Sequence, residues 1–100
     1  FHSPLMNPAK EELQKAIEAT EFKTPCCPVY QNVDGKPYTE PAAIKANLIA
    51  QLTSSVRWTE TINNTIADGA DDFTECGPGK VLQGMIGRIN KDVAAHGVNA

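Results

Sequence analysis

The sequence predicts an α/β fold. Two short β-prone runs, residues 29–33 and 72–76, are interspersed among four segments whose apolar residues recur every three to four positions. The resulting order is α-β-α-α-β-α. Strands joined by helical crossovers run parallel, and parallel sheets are covered on both faces. Two short strands cannot build such a sheet alone, so the pattern is also incomplete and needs strands from elsewhere. Composition agrees with a globular chain: of 100 residues, 41% are hydrophobic and 21% charged, which excludes disordered and fibrous classes. The length allows at most one small domain.

The elements follow in order. Asn7-Pro8 reads as a cap and a first-turn proline, after which Leu13, Ala16, Ile17 and Thr20 share one helical face. Ser3-Pro4 could cap an earlier start, and since Pro8 would then strain the helix, a short first turn followed by the main helix is expected. Pro25 and Pro28 break that helix. Val29-Tyr30-Gln31-Asn32-Val33 is a strand closed by the turn dipeptide Asp34-Gly35. Thr39-Glu40-Pro41 opens a second helix, with Ile44, Leu48 and Leu52 repeating at four and Ile49 beside them. Ser54 or Ser55 starts a third, carrying Trp58, Ile62 and Ile66, and Gly69 ends it. After the strand at 72–76, Gly77-Pro78-Gly79 leads into a last helix from about Lys80. Its stripe is Leu82, Met85, Ile86, Ile89 and Val93, and Gly97 marks its end.

Several function classes are excluded. No window holds about 18 uninterrupted apolar residues, so no helix spans a membrane. A net charge of −3 argues against general nucleic-acid binding, which needs clustered Lys and Arg. Cys26, Cys27 and Cys76 are an odd count, unlike a secreted disulfide framework, and are expected to be reduced, mostly buried cytosolic thiols. Cys26 and Cys27 are poorly arranged for bonding to each other or for gripping zinc with Cys76, so no metal site is expected. The chain opens on Phe1-His2-Ser3-Pro4, without an initiator Met or a signal-peptide pattern. It is expected to be a piece of a longer chain, holding part of an active site.

Four features carry possible chemistry. His2 stands just before a helix start, where a neutral imidazole accepts a proton from a nucleophile and returns it to a leaving group. Ser3 cannot easily face it, and Ser54 and Ser55 lack a G-x-S-x-G elbow, so no nucleophile in the chain is convincing. Gly77-Pro78-Gly79 matches neither phosphate-loop pattern and reads as a tight strand-to-helix turn. Trp58 with Ile62 and Ile66 reads as core. Lys80, Arg88 and Lys91 share an edge of the final helix, read as a solvated face rather than a docking surface for an acidic partner.

Three motifs in order carry a family resemblance: Phe1-His2-Ser3-Pro4-Leu5-Met6, then Gln51-Leu52-Thr53-Ser54-Ser55-Val56-Arg57-Trp58-Thr59-Glu60, then Glu75-Cys76-Gly77-Pro78-Gly79-Lys80-Val81-Leu82. Together they resemble the C-terminal part of malonyl-CoA:acyl carrier protein transacylases, over essentially the whole chain. The resemblance implies a serine that takes malonyl from coenzyme A as an ester and passes it to the phosphopantetheine thiol of acyl carrier protein in fatty-acid synthesis. His2 matches the family's general base and acid. Gln51 matches the residue whose backbone carbonyl holds the histidine ring in place of a carboxylate. Phe1 matches the position where phenylalanine accompanies malonyl and serine accompanies methylmalonyl.

The resemblance further implies that residues 1–100 are the C-terminal segment of the large, α/β-hydrolase-like acyltransferase subdomain. The nucleophile, the arginine that grips the malonyl carboxylate and a small ferredoxin-like subdomain would all lie before Phe1. Malonyl-CoA is then a substrate, with no permanently bound cofactor. The implied partners are acyl carrier protein and the N-terminal part of the same cytoplasmic enzyme, and the segment alone is expected to be inactive and to need that part for folding. Ser55 stands where the family commonly has proline, and Gln31-Asn32 where Ser-Asn is frequent. Two rival readings are an acyltransferase domain of a polyketide or multifunctional fatty-acid synthase, and a noncatalytic interaction module on the same scaffold.

Overall fold

The structure, a computed structural model, describes residues 4–99. It divides into two compact units, Phe1–Thr61 and Ile62–Ala100. In the first unit a 3₁₀ turn, Pro4–Met6, runs into α1 (Asn7–Ala19). Then come β1 (Val29–Tyr30), β2 (Pro37–Tyr38), α2 (Pro41–Gln51) and the start of α3 (Trp58–Ala67). The second unit holds the rest of α3, β3 (Asp72–Cys76), α4 (Val81–Ile89) and β4 (Ala94–Val98). The chain is therefore α/β with a small parallel sheet, and the expected order α-β-α-α-β-α is corrected by two added strands.

The first added strand makes a hairpin. β1 and β2 pair antiparallel, with Val29 opposite Tyr38 and Tyr30 opposite Pro37. Only Val29 and Tyr30 of the expected 29–33 strand are extended in the ladder. Gln31 already enters the turn, its carbonyl accepting the Gly35 amide at 2.8 Å and its amide donating to Lys36 at 3.2 Å. The Asp34 carboxylate also accepts the Lys36 amide at 3.0 Å. Gly35 has φ +70°, and a Cβ there would lie 2.9 Å from the Thr61 nitrogen, so only glycine suits the site.

The helices of this unit are tied through their ends. Asn7 is the first residue of α1 rather than its cap, because the 3₁₀ turn before it is already helical at Met6. At the other end, Lys45 of α2 donates to the carbonyls of Glu18 and Thr20 at 2.6 and 3.0 Å and lies 5.7 Å from the Phe22 ring centre. A cation there satisfies carbonyls that a helix leaves free. Pro41 begins α2, and Ile44 is buried. α3 starts at Trp58, later than Ser54 or Ser55, because Ser54 closes the end of α2. The Ser54 amide donates to Gln51 at 3.2 Å and its hydroxyl to the Ala50 carbonyl at 2.7 Å.

In the second unit, α3 ends as expected at Gly69. The Gly69 amide donates to Ile66 and the Ala70 amide to Thr65, which is a Schellman closure. β3 and β4 run parallel, from Asp72 opposite Ala94 to Cys76 opposite Val98, with α4 as their crossover. The sequence predicts helix past Val93, ending at Gly97. Instead α4 stops at Ile89, because the Asn90 side chain accepts the Asp92 amide at 2.8 Å in a turn that competes with helix. Val93 and Lys91 thus lie past the helix, and Gly97 lies within a strand.

The apolar core is small. Among the described residues the buried apolar side chains are Ile44, Ile62 and Ile86, while Leu13, Val56, Val81 and Val98 are at least half exposed. All three cysteines are exposed, against the expectation of mostly buried thiols. No described helix is long and apolar enough to cross a membrane. Gly35→Ala should lower the urea stability of the complete protein by about 1–3 kcal/mol, since it combines a left-handed backbone with a clash. An unchanged midpoint would contradict this account of the hairpin.

Candidate active site

Of the residues singled out from sequence, Phe1 and His2 lie outside the described residues. Gln51 is the last residue of α2. Its carbonyl accepts the Ser54 amide at 3.2 Å, which leaves one of two lone pairs for another donor. Its side-chain amide donates to the Ser54 carbonyl at 3.1 Å, while Oε1 is buried with no hydrogen-bond partner. A cavity of about 350 Å³ lies alongside, lined by Met6, Ala9, Leu13, Gln51, Leu52 and Val56 among others. Met6 belongs to the same opening motif as His2, so the structure brings the ends of the first and second motifs to one cavity.

Trp58 behaves mainly as core, partly buried on α3, but its indole N–H is buried without a partner. Native proteins seldom leave buried polar atoms unsatisfied. Gln51 Oε1 and Trp58 Nε1 are therefore two acceptor and donor sites still open. Ser54 is no candidate nucleophile here, because its hydroxyl donates to the helix carbonyl of Ala50.

The third motif resolves as structure. Gly77 and Gly79 have φ +117° and +85° and turn the chain from β3 into α4. The amides of Leu82 and Gln83 at the start of α4 both donate to the Glu75 carboxylate at 3.3 Å, and the Gln83 side chain donates to it at 3.2 Å. The positive end of the helix thus already holds an anion of its own chain, in the place a phosphate would take. This supports the tight-turn reading of Gly77-Pro78-Gly79. Beside it, His96 Nε2 and Asp72 Oδ1 pair at 3.0 Å, both well exposed. Among the described residues no group of three or more His, Cys, Asp or Glu side chains could hold a metal ion.

Sequence reading missed a polar network around the hairpin. The Tyr38 hydroxyl donates to the Asp34 carboxylate across the Asp34-Gly35 turn. Partial burial alone would raise the Asp34 carboxyl. The Tyr38 hydrogen bond, the Lys36 amide and the charges of Lys36 and Arg57 outweigh it and hold Asp34 below the usual carboxylate range. The same hydrogen bond, aided by burial and the Asp34 charge, raises the Tyr38 phenol. The four-residue spacing across a turn was the available signal.

Comparison with known proteins places this geometry. No family model matches the chain. It is 47% identical over 91 residues to the malonyl CoA-acyl carrier protein transacylase of Bacillus subtilis, covering 91% of this chain and 29% of that protein. The acyl-carrier-protein-S-malonyltransferase structure from Bartonella henselae superposes with a TM-score of 0.89 at 40% identity, over 100% of this chain and 32% of that one. A type II polyketide-synthase acyl carrier protein in complex with its malonyl-transacylase gives a TM-score of 0.84 at 41% identity, over 98% and 32%. The resemblance read from the motifs thus extends through nearly the whole chain, and the chain spans about a third of the length of the relatives it matches.

The Asp34 network has a testable pH signature. A folded carboxylate held below its unfolded value contributes stability that is present above that value, near pH 4, and fades as pH falls through the lower folded value. The stability difference between the parent and Tyr38→Phe, read by urea denaturation of the complete protein, should be constant from about pH 7 to 5 and shrink below about pH 4. A gap unchanged down to pH 2 would contradict the hydrogen bond to ionised Asp34.

Proposed function

Starting from that likeness, we propose that the complete protein moves a malonyl group from coenzyme A to the phosphopantetheine thiol of acyl carrier protein in fatty-acid synthesis. The observation that carries this reading is identity of 40% or more to malonyl transferases across essentially the full chain. Residues 1–100 then form the C-terminal segment of the large, α/β-hydrolase-like subdomain of a cytoplasmic enzyme, and a serine from the remainder is the nucleophile. Malonyl-CoA is substrate, and no resident cofactor enters the chemistry.

In this mechanism the neutral His2 imidazole accepts the serine proton as the hydroxyl attacks the malonyl thioester. It returns the proton to the departing coenzyme A thiolate, and then serves the carrier-protein thiol in the same way. Its tautomer must be fixed, with one ring nitrogen donating and the other free to accept. The Gln51 carbonyl supplies the acceptor: it sits at a helix end with a lone pair open, on the cavity that Met6 also lines. A neutral carbonyl holds the ring without the added charge of a triad carboxylate. Phe1 matches the position where phenylalanine accompanies malonyl, and a large ring there would disfavour a methyl-branched malonyl by about 1–3 kcal/mol.

A second reading assigns the same chemistry to polyketide synthesis. The likeness to a malonyl-transacylase bound to a type II polyketide carrier protein favours it as the alternative. In either setting His2→Ala in the complete protein should cut malonyl transfer by about 10³-fold or more while acyl-carrier-protein binding persists. Turnover near the parent rate would remove His2 from the mechanism. Transfer to a fatty-acid carrier protein but not a polyketide one, or the reverse, separates the two settings.

A further inference from the structure

We propose that Cys26 and Cys27 form a capture site for trivalent arsenicals, bridged as a cyclic dithioarsenite. Both thiols are exposed and neither is in a disulfide. They sit at a bend bracketed by Pro25 and Pro28, and proline fixes its own φ while restricting the residue before it. The bracket is anchored on both sides, by Phe22 against Lys45 and by β1 starting at Val29. The Cys27 backbone is therefore restricted by Pro28, while both thiols stay exposed.

Adjacency selects the ligand. The Cys26–Cys27 peptide is trans, which places the two Cα atoms about 3.8 Å apart. An unstrained disulfide wants roughly 4.4–6.8 Å between Cα atoms. A direct S–S bond is therefore disfavoured, whereas one bridging atom gives a ring one member larger and lets the sulfurs stand further apart. Hydrogen bonding to the Cys26 sulfur, with charge repulsion from it and slight desolvation, raises the Cys27 thiol above its ordinary value. Cys27 thus keeps its proton more firmly than an ordinary thiol, unlike a peroxide-sensing thiolate. A monosubstituted trivalent arsenical consumes protonated thiols directly. Two S–H and two As–OH bonds break, two As–S bonds form, two waters leave, and no electrons change hands. The inference is independent of the transferase reading.

The test uses the complete protein treated with phenylarsonous acid at neutral pH, freed of excess reagent and digested with trypsin. Cleavage after Lys23 and Lys45 yields a peptide of residues 24–45 that contains Cys26 and Cys27 and no other cysteine. This peptide should carry one phenylarsenic group, removed by a small dithiol but not by an equal concentration of monothiol. Cys26→Ser and Cys27→Ser should each weaken capture by about 10²–10⁴-fold, the gain expected from closing a second bond intramolecularly. Cys76→Ser should leave it unchanged. An unmodified 24–45 peptide, or an adduct that survives either single substitution or is stripped equally by monothiol, would overturn the site.

Discussion

The buried side chain of Gln31 organises the first unit. Its amide nitrogen donates to the Ile44 carbonyl within α2 at 3.0 Å, and its oxygen accepts from Asn47 one turn later at 2.9 Å. Its own backbone closes the hairpin turn at Gly35 and Lys36. One residue therefore fixes the hairpin against the middle of α2. The next residue extends the tie, since the Asn32 carbonyl accepts the Arg57 amide at 3.1 Å just before α3. The segment from Gln51 to Arg57, which carries the proposed orienting carbonyl, is thereby held at both ends. Removing the Gln31 amide would strand the buried Ile44 carbonyl at a cost of about 1–3 kcal/mol and leave the half-buried Asn47 amide without this partner.

A second lock shapes the parallel pair. Glu75 at the end of β3 receives two amides of α4, and its third donor, Gln83, packs so close to β4 that a Cβ on Gly97 would lie 2.6 Å from Gln83 Nε2. Strand, helix and strand thus meet at one carboxylate, and the glycine leaves room for it. Each described sheet has only two strands, so every strand keeps one edge without a described partner.

Much of this was legible in the sequence. Apolar repeats at four located α1, α2 and α3, and Gly69 marked a true helix end because its motif is local. The strand at 72–76 was visible as a short β-prone run, and the structure half-buries Phe73 and Glu75 on one side of it. β2 escaped because two residues between Gly35 and Pro41 are too few for a pattern. β4 escaped because Ala94, Ala95 and Val93 continue helical spacing, while the decisive turn depends on one side-chain hydrogen bond at Asn90. Gln31 looked like a minor departure from a family pattern, and its importance lies in partners 13 and 16 residues away that no local window contains. The cysteines read as buried because burial was inferred from residue type, whereas Cys26 and Cys27 lie exposed at the proline-bracketed bend and Cys76 is exposed at the end of β3.

The central claim is that a backbone carbonyl, Gln51, fixes the proposed base in one tautomer. The most direct measurement is the ¹⁵N spectrum of the His2 imidazole in the complete protein near neutral pH. The account predicts a single neutral tautomer, with one N–H in slow exchange and hydrogen-bonded to the Gln51 carbonyl. Averaged signals of two interconverting tautomers, as in a free imidazole, would contradict it.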